Sequence, residues 1–187
     1  MTHVDNSLLG AEAADLVPRV AKLVGDLIRR AFAFMQQEHE SPPVCALVIE
    51  FTGHIDCMVV PEDLASNSNG TGSVAASFAM GLARSALKLP GVLAAGALMD
   101  AYTVQRGEDT LTPDGGSLAN EPDCQEALVV ALLLRGQGEQ VDRLLVTLPY
   151  TRSADGSLES GDLEVQSTRA SATIDGRLFT EPRTASN

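Results

Sequence analysis

His54-Ile55-Asp56 sets an imidazole and a carboxylate two residues apart on one side of an extended run, with Cys57 adjacent and Glu50 nearby. Such a group could exchange protons or hold part of a metal. Zinc needs three or four converging ligands, and the cysteines do not supply them. With Thr52-Gly53 as a two-residue turn, Cys45 falls opposite Val60, three pair positions from Cys57, and Cys124 stands in a distant loop. The expectation is an ordinary pair of hairpin-turn residues, with no metal and no cofactor. Asp100 and Tyr102, in a later apolar run, complete the catalytic candidates.

Other motifs point away from familiar chemistry. Asn67-Ser68-Asn69-Gly70-Thr71-Gly72-Ser73 leads into a helix, where backbone N–H groups could hold an anion. It lacks the P-loop lysine and the spacing of a dinucleotide fingerprint, so a solvated connection is expected. There is no Gly-x-Ser-x-Gly elbow, His-Glu-x-x-His helix or Cys-x-x-Cys pair. Asp155, Glu159, Asp162 and Glu164 suggest calcium, but Ser160 stands where an EF-hand loop needs Gly and Gln166 where it needs Glu. That cluster, like the acidic stretch from Glu108 to Glu126, reads as solvated surface.

The elements that must position these groups follow from periodicity. Val17, Val20, Leu23 or Val24, Leu27 or Ile28, Ala31 and Phe34 or Met35 recur at three- and four-residue steps, which predicts an amphipathic helix starting near Leu16 or Val17. Asp15 would cap it, Pro18 would lie in its first turn, and Ser41-Pro42-Pro43 would stop it. Val44–Phe51 and Ile55–Val60 predict two strands. Ser73 caps a second helix whose core stripe would be Val74, Phe78, Leu82, Ala86 and Leu89, ended by Pro90-Gly91. Ala94–Val104 returns as a strand, and Arg106–Asn120 predicts a surface loop.

Ala127–Leu134 and Val141–Tyr150 flank a polar loop and predict a long hairpin. Pairing Arg135 with Val141 sets Leu132 against Leu144, Val130 against Val146 and Leu128 against Leu148. The opposite face carries Val129, Leu133, Arg143 and Leu145, a mixture poorly suited to water. Phe32 and Phe34 point to different sides of the first helix. These six residues are the predicted interface, with a homodimer as the expected use. Beyond Arg152 apolar residues thin out, and two edge strands are predicted, near Leu163–Thr168 and Ala172–Thr180.

The fold class is therefore α+β: an antiparallel or mixed sheet of about five main strands with two helices on one face, in the order α-β-β-α-β-β-β plus a C-terminal hairpin. Residues 1–15 form a lead-in, 16–152 one domain and 153–187 a polar tail. At 187 residues the chain fits a single core, and with 44% hydrophobic but only 4% aromatic residues that core must be built from Ala, Leu and Val. A formal charge of -12 and a pI near 4.5 disfavour nucleic acid and anionic membranes as partners. Three scattered cysteines, no leader pattern and no run of about 20 apolar residues predict a soluble cytoplasmic protein.

The element order resembles profilin-like and roadblock-type domains, which implies no activity. Val44-Cys45-Ala46-Leu47-Val48-Ile49, Leu89-Pro90-Gly91-Val92 leading to Asp100-Ala101-Tyr102, and Pro122-Asp123-Cys124-Gln125-Glu126 together resemble a family of small uncharacterised proteins from bacteria and their phages. The likeness spans roughly residues 40 to 150, and the family pattern has Glu and Trp where Asp100 and Tyr102 stand. It implies a source class and marks Asp100, Tyr102, Asp123 and Glu126 for mutation. The leading expectation is a non-catalytic protein acting by protein contact. The rivals are a small hydrolase or metal-dependent enzyme using His54, Asp56 and Asp100, and an acidic mimic that occupies a nucleic-acid site.

Overall fold

The computed structural model describes residues 13–61, 74–104, 124–135 and 141–170. The loop carrying Asn67–Ser73, the acidic stretch with Asp123, the hairpin loop 136–140, the lead-in up to residue 12 and the expected strand from Ala172 lie outside them. Two helices, α1 (Ala13–Glu38) and α2 (Val74–Ala86), accompany strands β1 (Cys45–Glu50), β2 (Ile55–Val59), β3 (Val92–Val104), β4 (Cys124–Arg135), β5 (Val141–Arg152), β6 (Leu158–Ser160) and β7 (Glu164–Ala170). One antiparallel sheet runs β2-β1-β3-β4-β5-β6, with β7 also on β5. This is the expected α+β class and element order. Among the described residues no helix is long and apolar enough to cross a membrane.

The long hairpin has the predicted register, from Arg135↔Val141 to Leu128↔Leu148. The helices depart from expectation. They lie on opposite faces of the sheet: α1 covers Leu47, Ile49, Leu128, Val130, Leu132 and Val146, while α2 covers Ala46, Ala95, Ala97 and Leu133. The reason is visible in β4, where Ala127 to Leu134 are all buried. A strand apolar at every position needs cover on both sides.

Each helix is also seated differently. α1 begins a turn early, so Pro18 sits inside it and Asp15 does not cap it. Pro18 removes only the bond that Ala14 would accept, and Leu16 and Val17 pack on the core. α1 ends at Glu38 with His39 in the left-handed region at φ 58° and its N–H on the Met35 carbonyl. α2 buries Ala75, Ala79, Met80 and Ala83 and leaves Val74 and Phe78 outward. Small side chains let the helix approach the equally small residues of β1 and β3. Arg135 closes its C-terminal end, its guanidinium donating to the carbonyls of Leu87 and Leu89.

At Gly96 the neighbouring strand leaves no room for a side chain. A Cβ there would lie 1.9 Å from the Ala131 carbonyl oxygen. At the far edge, β6 pairs with the end of β5 through Tyr150↔Ser160 and β7 with its start through Thr147↔Glu164. The two registers differ by one residue, so Gly161–Leu163 forms a bulge, anchored by the Gly161 N–H on the Pro149 carbonyl. Leu158 and Leu163 both reach the α1 face, which draws this part of the chain into the sheet.

Candidate functional site

Four polar residues of the central strands gather at one end of the α1 face. Asp100, Tyr102, Glu126 and Tyr150 share that face by strand alternation, with Tyr102 opposite Glu126 and Glu126 opposite Tyr150. The Tyr150 hydroxyl donates to Asp100 Oδ1 at 2.7 Å, and Ser41 Oγ donates to Asp100 Oδ2 at 2.5 Å. Phe32 packs beside Tyr150 with ring centroids 5.9 Å apart. Gln36 donates to the Leu158 carbonyl at 3.1 Å.

This arrangement is a clamp more than a reaction centre. Burial, then the hydrogen bond to Asp100, then the charges of Asp100 and Glu126 push the Tyr150 hydroxyl above its ordinary range, partly offset by a hydrogen bond with Arg152. A phenol held neutral and donating to a carboxylate is neither nucleophile nor base near neutral pH. Asp100 instead ties β5 and the segment after α1 to β3. Ser41 and Tyr150 were not among the predicted residues. They lie 59 and 50 positions from Asp100 in the chain, so only the topology reveals them.

His54 and Asp56 belong to another part of the molecule. His54 is level with Glu50, which pairs with Val92, placing it about 25 Å along the sheet from Asp100 at roughly 3.3 Å per residue. Its Nε2 lies 3.1 Å from Asp56 Oδ1, with both side chains more than 60% exposed. The three residues of the rival enzyme reading do not meet in one site: His54 and Asp56 lie at the opposite end of the sheet from Asp100. Tyr102 stands with Asp100 but is exposed.

The β1–β2 hairpin corrects the cysteine geometry. Its turn is three residues, closed by the Gly53 N–H on the Glu50 carbonyl and the Glu50 N–H on the His54 carbonyl, with Gly53 at φ 80°. Cys45 then pairs with Val59, not Val60, and Cys57 pairs with Leu47. This puts both thiols on one face in diagonal positions. Burial, followed by hydrogen bonding and charge interaction with Cys57, pushes the Cys45 thiol up to about 12. Cys45 is buried, while Cys57 is exposed.

The predicted interface residues divide. Phe32, Val129 and Leu133 are buried in the core, the first beside Tyr150 and the last beneath α2, so they are removed from any contact surface. Arg143 and Phe34 are exposed, and Leu145 is half-buried. Sequence reasoning missed Met58, Val59 and Phe78, at 58%, 56% and 45% exposure. Unbroken apolar runs mark them as core, and only the edge position of β2 and the rotation of α2 turn them outward. Among the described residues no three His, Cys, Asp or Glu side chains group as metal ligands. No family model, curated protein or solved structure matches the chain.

Proposed function

We propose that this acidic protein works in the cytoplasm by contact with another protein chain, as a non-catalytic accessory factor that self-associates. The observation that carries this reading is the seating of α2. Ala75, Ala79 and Ala83 face the sheet, and the larger Val74 and Phe78, one turn apart, face outward. A helix ordinarily buries its largest apolar side chains, and an outward apolar pair marks a surface that gains from being covered. Met58 and Val59 on β2 are further exposed apolar side chains, one on each face of the sheet.

The test compares the full chain with a Val74→Ser, Phe78→Ser double variant, by light scattering and by affinity capture from cells of the source. The reading expects self-association in light scattering and a specific captured partner that the double variant loses. A strict monomer whose captured proteins are the same for both chains would refute it.

A further inference from the structure

Strand β2 ends the sheet, and its hydrogen-bond phase decides what its outer edge offers. The Glu50 N–H bonds to the His54 carbonyl and the Val60 N–H to the Val44 carbonyl. In an antiparallel ladder bonded and non-bonded pairs alternate, so Asp56 and Met58 bond to β1. Ile55, Cys57 and Val59 turn their N–H and C=O groups away from it. Among the described residues no strand receives them.

We infer that this edge binds a second copy of the same chain, β2 against β2 in antiparallel register about a two-fold axis at Cys57. The inference rests on the contact reading above and names its partner. The three outward-facing residues are centred on Cys57. In that register Cys57 meets its counterpart and Ile55 meets Val59 of the other copy, so each outward N–H finds an outward C=O. A one-residue slip would set outward groups against inward ones. Side chains agree with the backbone. Cys57 and Val59 are exposed beside the partly buried Ile55 on the α1 face, so the pairing closes one apolar strip over both copies. On the other face Asp56 meets the exposed Met58 instead of a like charge. Of the usual guards of a bare edge, Ile55–Val59 has no lysine, internal proline or bulge, and its one charge, Asp56, lies on the face away from the apolar strip.

The experiment is sedimentation equilibrium of the full chain under reducing conditions, with three variants. Val59→Lys places a charge in the strip at a position exposed in one copy. Cys57→Pro removes an outward N–H that makes no bond to β1, and circular dichroism checks its fold. Val74→Ser, Phe78→Ser leaves the edge intact. The inference expects a wild-type dimer whose dissociation constant rises about tenfold or more in both edge variants and is unchanged in the α2 variant. A wild-type monomer, or a dimer that Val59→Lys leaves intact, overturns it. If the α2 variant alone dissociates the dimer, the contact reading stands and the edge assignment fails.

Discussion

The two edges of the sheet are finished in opposite ways. Beside β5, the returning chain lays down β6, bulges at Gly161–Leu163 and continues as β7, showing water Glu159, Asp162, Gln166 and Ser167 while Leu158 turns inward. Beside β1, the sheet stops at β2, five residues long, with Cys57, Met58 and Val59 exposed. A bulge and charged side chains are how an edge is kept from pairing with another molecule. One edge of this protein carries a bulge and several charges, the other no bulge and only Asp56, which makes the bare edge the place to look for a partner.

The strands between the edges should be the most sensitive. Gly96→Ala drives a methyl group into the Ala131 carbonyl, and β3 and β4 must separate to admit it. We expect a loss of about 3 kcal/mol, measured by urea denaturation. Next comes the dressed edge. Leu158, nearly buried against the α1 face, should cost about 2.5 kcal/mol when changed to Ala, and exposure of β5 should follow as increased aggregation on heating.

Tyr150→Phe, at the end pair of β5 with β4, should cost about 1.5 kcal/mol because its hydrogen bond goes to a carboxylate. Its pH dependence has a definite sign. The hydroxyl is raised in the folded state, so its contribution is complete below the unfolded tyrosine value of about 10 and declines as pH climbs above it. The wild-type urea midpoint should therefore fall more steeply above that pH than the variant's. Equal slopes would detach Tyr150 from the clamp. The smallest stability effect belongs to the bare edge: Val59→Lys should change unfolding free energy by no more than about 0.5 kcal/mol while weakening self-association. A large destabilisation would mean that Val59 is structural and the contrast between the edges is lost.

The sequence disclosed strongly patterned elements and concealed their rotations. The β4–β5 register follows from Leu and Val facing each other on both strands, since a slip would expose them. The β1–β2 register is one residue away from a two-residue turn because Gly53 takes the left-handed conformation of a three-residue loop. In α2, apolarity alone favours Val74 and Phe78 for the core, but close approach to Ala95 and Ala97 favours alanines. The opposite placement of the helices was legible in the unbroken run Ala127–Leu134, which needs cover on two sides. Ser41, Asp100 and Tyr150 carry no local motif, and their meeting depends on three separate segments arriving at one end of the sheet.

Backbone amide hydrogen exchange across β2 tests the unguarded edge most directly. The amides of Asp56 and Met58 bond to β1 and should be protected at every protein concentration. Those of Ile55, Cys57 and Val59 should exchange freely in dilute solution and become protected as concentration rises and the second copy adds to the edge. Fast exchange at these three positions at all concentrations, in protein that remains folded, would contradict the account.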